Sequence, residues 1–169
     1  MAGISVTTRL RLREFSLGDV HAVYALSREV SLARFIPDQV YADEAEAREV
    51  LAMLMTCYGK LLFPYVLAAE LIETGELIGH VGLSEIPEGI EIGFAIGEEY
   101  QGRGYATEAV SGMIRWAVER LGLEVIYGIA MDENIASLRV LEKAGFARRA
   151  EQKRAGWVMT VWSKNATSS

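Results

Sequence analysis

With 169 residues, the chain is long enough for one ordinary domain with a continuous core, and 51% hydrophobic against 24% charged residues excludes a disordered or low-complexity protein. A net charge of -6 excludes nucleic acid as the main partner, because neutralising phosphates needs a clustered Lys/Arg excess; an acidic surface suits a cationic or amine-bearing partner instead. One cysteine, Cys57, excludes an internal disulfide, and His21 and His80 beside it offer no metal-ligand spacing, so no metal is expected.

The reducing cytoplasm is the expected compartment. Arg9, Arg11, Arg13 and Glu14 stand where an export signal needs an unbroken apolar run. No membrane segment is expected either: the longest apolar stretch, 61–69, contains Pro64, ends at Glu70 and falls far short of the roughly 20 residues that a spanning helix needs.

Taken in order, 9–13 alternates basic and apolar residues with the period of a half-buried strand. Val20, Val23, Tyr24 and Leu26 recur at helical spacing over 17–30, with Asp19 complementing the helix dipole. Pro37 interrupts, and the acidic start Asp43, Glu44 and Glu46 opens a second helix over 43–58. Strand-like runs at 63–72, 76–86 and 90–96 are separated by Glu73-Thr74-Gly75 and Pro87-Glu88-Gly89 and read as an antiparallel meander.

Ala106, Val110, Met113, Ile114, Ala117 and Leu121 then form one apolar stripe of a long helix closed by Gly122. Residues 125–131 read as a buried strand that a crossover places parallel to its predecessor. Asn134 is an N-cap for a short helix ending in a Schellman motif at Gly145 and Phe146. A hairpin of 146–152 and 157–163 follows. The whole 1–169 is expected to be a single domain with fraying ends at about 1–6 and 165–169.

Chemistry concentrates where the strand Glu91 to Ile96 runs through Gln101-Gly102-Arg103-Gly104-Tyr105-Ala106-Thr107 into the long helix. A helix start leaves amides unpaired and partly positive, and glycines let an anion approach the backbone, so the turn suits a phosphate. It is neither a Walker A loop, lacking the Lys-Ser/Thr pair, nor the dinucleotide fingerprint, since Thr107 replaces the third glycine. Two glycines that only cap a helix would look the same.

The segment Gln101-Gly102-Arg103-Gly104-Tyr105-Ala106 resembles the Gln/Arg-x-x-Gly-x-Gly/Ala signature of the GNAT acetyltransferases. Asn134-Ile135-Ala136-Ser137 with Glu142-Lys143-Ala144-Gly145-Phe146 resembles that superfamily's second, less specific signature. The opening Thr8 to Arg13 and the run Gly104 to Ala109 look like the RimJ/RimL branch, whose members acetylate protein N-terminal amines. The likeness implies an α+β fold of three layers, with a mixed, mostly antiparallel sheet of about seven strands flanked by about four helices. It also implies acetyl-CoA as co-substrate, wedged where the fourth and fifth strands splay apart. Phe94, Ala95 and Ile96 would bond the pantetheine arm through their backbone, and Gln101, Gly102, Arg103, Gly104, Tyr105, Ala106 and Thr107 would hold the pyrophosphate. Asn134 and Ser137 would face the thiol. Asn134 as a plain N-cap and Phe94 and Ile96 as plain core residues fit the same pattern.

Transfer to an amine needs a base and an acid. Glu91 is the expected base, with Glu85 and His80 behind it, although a solvated Glu91 and a structural His80 fit as well. Many superfamily members place a Tyr before the second signature's Glu-Lys pair, where this chain has Leu141; Ser137 is the substitute by position. The acceptor site is expected between the first two helices, the 34–37 loop and the last hairpin with Trp157 and Trp162, aromatics that suit core or homodimer contacts as well. The acceptor stays open between a protein N-terminal α-amine and a small amine such as an amino acid, polyamine or antibiotic. A non-catalytic acyl-CoA-binding module and a nucleotide-phosphate-binding protein remain as other classes.

Overall fold

The computed structural model describes residues 4–154 and 156–165. In chain order these form β1 (Ser5–Val6), β2 (Leu10–Arg13), α1 (Val20–Ser27), α2 (Val30–Phe35), α3 (Glu44–Cys57), β3 (Tyr65–Leu71), β4 (Leu77–Ile86), β5 (Gly89–Ile96), α4 (Tyr105–Leu121), β6 (Val125–Met131), α5 (Ile135–Lys143), β7 (Ala147–Arg154) and β8 (Trp157–Asn165). The strands make one sheet in the order β1-β2-β3-β4-β5-β6-β8-β7, antiparallel except for β5 against β6.

This is the expected mixed sheet with one more strand and one more helix among the described residues. The added strand lies in the stretch expected to fray, where Ser5 and Val6 pair with Leu12 and Arg11. Asn165, also expected to fray, closes β8, while residues 1–3 and 166–169 of the two expected loose ends lie outside the described residues. The added helix comes from a break in the 17–30 stretch. Arg28 and Glu29 end α1 by donating to the carbonyls of Ala25 and Leu26, and Glu29 turns extended, at φ -66° and ψ 143°, before α2 begins. Its carboxylate leaves the helix line to accept the Glu98 amide at 2.7 Å, so a contact made 69 residues away cuts the helix in two.

The layers follow from residue alternation. Leu67, Val81, Leu83 and Ile92 face α4, where Ala109, Val110 and Met113 close the main core together with Leu141 of α5. On the opposite face Ala68 packs with Phe15, Val20 of α1 and Ala47, Leu51 and Leu54 of α3, which recur at helical spacing. Burying a side chain such as Leu51 contributes about 1.5–3 kcal/mol.

The alternating charges of β2 are not all outward. Arg13 is buried, gripping Asp19 through two nitrogens at 2.8 and 2.9 Å and Glu70 of β3 at 2.5 Å. A buried guanidinium survives only when paired in this way, and the pairing pins the turn before α1 to the sheet.

Candidate active site

β4 and β5 pair along their full length, from Gly79 against Ile96 to Ile86 against Gly89, and β6 pairs with β8 from Val125 to Met131. Between β5 and β6, in contrast, the register rests on Glu91 against Tyr127. Beyond that pair the sheet opens, and Phe94 to Ile96 present to the gap an edge with no strand partner among the described residues. Counting β1, this splay between the fifth and sixth strands is the gap expected between the fourth and fifth, because the sequence carries no alternation that marks the two-residue β1.

A cavity of about 370 Å³ fills the gap. Phe94, Ala95 and Ile96 line one wall and Asn134, Ser137, Arg139 and Lys143 the other. Gln101, Gly102, Gly104, Tyr105, Ala106 and Thr107 form its end, and Ser31, Leu32 and Phe35 of α2 flank it. A second, open hollow shares Gly104, Thr107 and Lys143 with the cavity and continues past Ser111 and Arg115. The two hollows therefore adjoin at the Gly-rich turn.

The turn has the properties an anion needs. Gly102 and Gly104 have φ of 73° and 83°, a region that β-carbons disfavour. Among the described residues, the amides from Gly102 to Thr107 find no acceptor, since the backbone ladder of α4 begins with Glu108 donating to Gly104. Gln101 ties the turn to the strand end: its Nε2 donates to the Ile96 carbonyl at 2.9 Å and to Ser31 Oγ at 3.3 Å. The expected cation does not join the cavity. Arg103 is absent from its lining, and its guanidinium lies over the Tyr100 ring at 5.8 Å from the centroid. Arg139 and Lys143, one helical turn apart on α5, are the cations that line the cavity instead. Their i, i+4 spacing puts both cations on one face of the helix, and that spacing is the sequence signal for them.

Asn134 Oδ1 accepts the Ser137 amide at 3.1 Å, so it caps α5 and lines the cavity at once. Glu91 stands at the apex of the splay, outside the cavity lining. Cross-strand register puts Glu91 on the sheet face of Ser84, Gly93, His80 and Ala68, the face that α1 and α3 cover. Glu85 pairs with Ile90 and so belongs to the opposite face. Beside Glu91, Gly93 is exposed, and a β-carbon built there meets nothing within 4 Å, which leaves a bare strip of strand next to the carboxylate. Burial pushes His80 down to about 4, so its imidazole is neutral at physiological pH and a weak base. Of the two tryptophans of the last hairpin, Trp162 packs on the main core, whereas Trp157 is exposed at the start of β8; neither lines the cavity.

The sequence profile of the acetyltransferase (GNAT) domain matches residues 9–147. The chain belongs to the GNAT acetyltransferase family. This acetyltransferase is 30% identical over 144 residues, 84% of its own length and 81% of the relative's, to the uncharacterized N-acetyltransferase YnaD of Bacillus subtilis. Its fold superposes on a GNAT-family acetyltransferase from Bacillus anthracis with a TM-score of 0.84, at 24% identity, covering 97% of this chain and 99% of that one. It superposes likewise on RimL, a ribosomal L7/L12 alpha-N-protein acetyltransferase solved with coenzyme A, with a TM-score of 0.81 at 19% identity, covering 96% and 97%. The protein is thus an acyltransferase of the N-acetyltransferase type, and acetyl-CoA is its acyl donor. No helix among the described residues is long and apolar enough to cross a membrane.

Proposed function

We propose that the Gly-rich turn holds the acetyl-CoA pyrophosphate and that the acceptor is a protein N-terminal α-amine, as in the RimJ/RimL branch. The observation that carries the donor half is the run of acceptor-less amides from Gly102 to Thr107, opening onto a cavity that follows the bare edge of β5. Amides at a helix start bind anions through both hydrogen bonds and the dipole. Arg139 and Lys143 add positive charge along the same cavity. The thioester supplies an electrophilic acetyl carbon. Strand alternation turns the backbone of Ala95 toward β4, as it does the Gly97 amide, and leaves the Phe94 backbone and the Ile96 amide facing the gap; these suit an extended amide-bearing arm, and one of the two amides suits a thioester oxygen as it gains charge.

In the transfer, a carbon-nitrogen bond forms at the acceptor amine while the carbon-sulfur bond breaks. Glu91 accepts, directly or through water, the proton the amine must shed. Ser137, beside Asn134 on the far wall, supplies a hydroxyl to the departing sulfur. The acceptor reaches Glu91 along the strip at Gly93. Three features support an N-terminal peptide there: the open strip, the acidic surface at net charge -6, which attracts a cationic amine, and the fold shared with RimL. A cytoplasmic setting accords with this reading.

Thiol release over a panel of peptides with free N-termini, the same peptides N-acetylated, spermidine and free amino acids tests the proposal. Release is expected with the free N-termini and abolished by N-acetylation. Turnover confined to spermidine or amino acids overturns the acceptor. Gly104→Val, which forces a β-branched residue to φ near 83°, is expected to remove acetyl-CoA binding; a variant that binds as before overturns the donor site.

A further inference from the structure

Resting on the reading of the turn as the pyrophosphate holder, we infer that Arg9 is a positioning residue for the acetyl-CoA site, fixing the Arg103–Gly104 peptide and neutralising Glu108 at the mouth of α4. Arg9 precedes β2, in the opening stretch that resembles the RimJ/RimL branch and outside the two superfamily signatures, yet its side chain reaches the Gly-rich turn and the first turn of α4 at three points. Nη1 donates to the Arg103 carbonyl at 3.0 Å, Nε donates to Glu108 Oε2 at 2.8 Å with Nη2 2.7 Å from the same oxygen, and the guanidinium lies over the Tyr105 ring at 4.3 Å.

The first contact sets a direction. In a trans peptide the carbonyl and the following N–H point opposite ways, so holding the Arg103 oxygen toward Arg9 turns the Gly104 amide away from it. Glycines at 102 and 104 make this peptide the easiest of the turn to flip, and each has open space or a single neighbour around it: a β-carbon at Gly102 meets nothing within 4 Å, and one at Gly104 meets only Arg9 Nη2, at 3.5 Å. Arg9 is therefore the one described side chain seated against Gly104 on that side. Without it the turn has to be ordered by the donor itself, at the donor's expense in affinity.

The second contact removes a repulsion. Glu108 lies in the first turn of α4, beside amides that would otherwise attract an anion, and its carboxylate would repel a diphosphate there. Burial alone would raise the Glu108 carboxyl, but hydrogen bonds from Thr7 Oγ1 and from the Arg9 amide and side chain hold it below its ordinary value, so it stays charged. Arg9 supplies the opposing charge. Because the Arg9 side chain is 42% exposed, the ion pair contributes little to folding, about 0–1 kcal/mol being usual for such pairs, so the loss should appear in donor binding rather than in stability.

The experiment measures kcat, both KM values and the ligand-free Tm for Arg9→Met, Arg9→Lys, Arg9→Met with Glu108→Gln, and Gly104→Val. Arg9→Met is expected to raise the KM for acetyl-CoA about tenfold, with the amine KM and the ligand-free Tm little changed. Arg9→Lys keeps a cation for Glu108 but has no second arm for the Arg103 carbonyl, so its KM for acetyl-CoA stays raised. The double variant, which deletes the repelling charge, recovers part of the loss. Unaltered acetyl-CoA KM in Arg9→Met, or a KM that moves only with a fallen Tm and returns with it in Arg9→Lys, overturns the inference. If Gly104→Val loses acetyl-CoA binding while Arg9→Met keeps it, the inference alone fails. Should Gly104→Val keep full binding, the turn is not the donor site and both readings fail.

Discussion

His80 sits on β4 between Ala68 and Ala95, and removal from water holds its imidazole at about 4 against the ordinary 6.5. A folded value below the unfolded one means that the unfolded chain binds the proton first. The stability His80 confers is therefore complete above about 6.5 and is lost as pH falls toward 4. The loss between pH 7 and pH 5 is expected to be about 2 kcal/mol. Asp19 and Glu70 are held below their ordinary range chiefly by Arg13, and Glu108 by hydrogen bonds from Thr7 and then Arg9, so their losses begin at lower pH and do not mimic it. Denaturant midpoints from pH 7.5 to 4.5 check this: His80→Gln should flatten that limb, and an identical slope in the variant assigns it elsewhere. An imidazole at about 4 has no advantage in basicity over a carboxylate, so the proposed base, Glu91, rests on its place at the apex of the splay and is tested by substitution. Glu91→Gln is expected to lower kcat by about 10²- to 10⁴-fold with the acetyl-CoA KM unmoved. A variant with full kcat removes Glu91 from the mechanism.

At the scale of elements, legibility followed how local the cause was. The stripe through Val110, Met113, Ile114 and Ala117 is buried along α4, the helix stops at Gly122, and the Phe146 amide donates to the Leu141 carbonyl as a Schellman ending requires. All of these depend on residues within a few positions of one another. α2 was missed because Glu98 breaks the helix from far along the chain. The burial of Arg13 was missed because alternation cannot reveal that Asp19 and Glu70 await it. The site divides the same way. The Gly-rich turn, Asn134 and the 34–37 stretch, whose Phe35 and Ile36 line the cavity, are legible from local signals, whereas Ser31 and Leu32 reach it only because α2 exists. The double duty of Asn134 as cap and cavity wall is testable as an element property. Asn134→Ala should cost about 1 kcal/mol of stability. Asn134→Asp keeps an oxygen for the Ser137 amide and should restore it. Activity that follows stability through both variants makes the residue a cap alone, while an Asp variant that is stable but slow marks a role at the thiol.

Among the described residues the sheet consists of two halves, β1 to β5 and β6 to β8, whose strand register joins at Glu91 and Tyr127 and which are spanned by α4 and its core. The cavity proposed for the donor lies between those halves, with walls from β5 on one side and α5 on the other. A ligand that binds there contacts both halves and the turn joining them, so it binds the folded chain and not the unfolded one, and its affinity adds directly to the folding free energy. At a hundredfold excess over Kd the gain is about 2.7 kcal/mol, which for a chain of this size raises Tm by about 5–10 °C. Hydrogen exchange localises the effect: protection by acetyl-CoA should rise in the amides from Gly102 to Thr107 and along both Phe94–Ile96 and the start of α5. ATP at the same concentration should give a much smaller rise, because it offers phosphates to the turn but no arm to bridge the edge of β5. Protection confined to one half-sheet, or equal stabilisation by ATP, would mean that the donor does not lie in the splay.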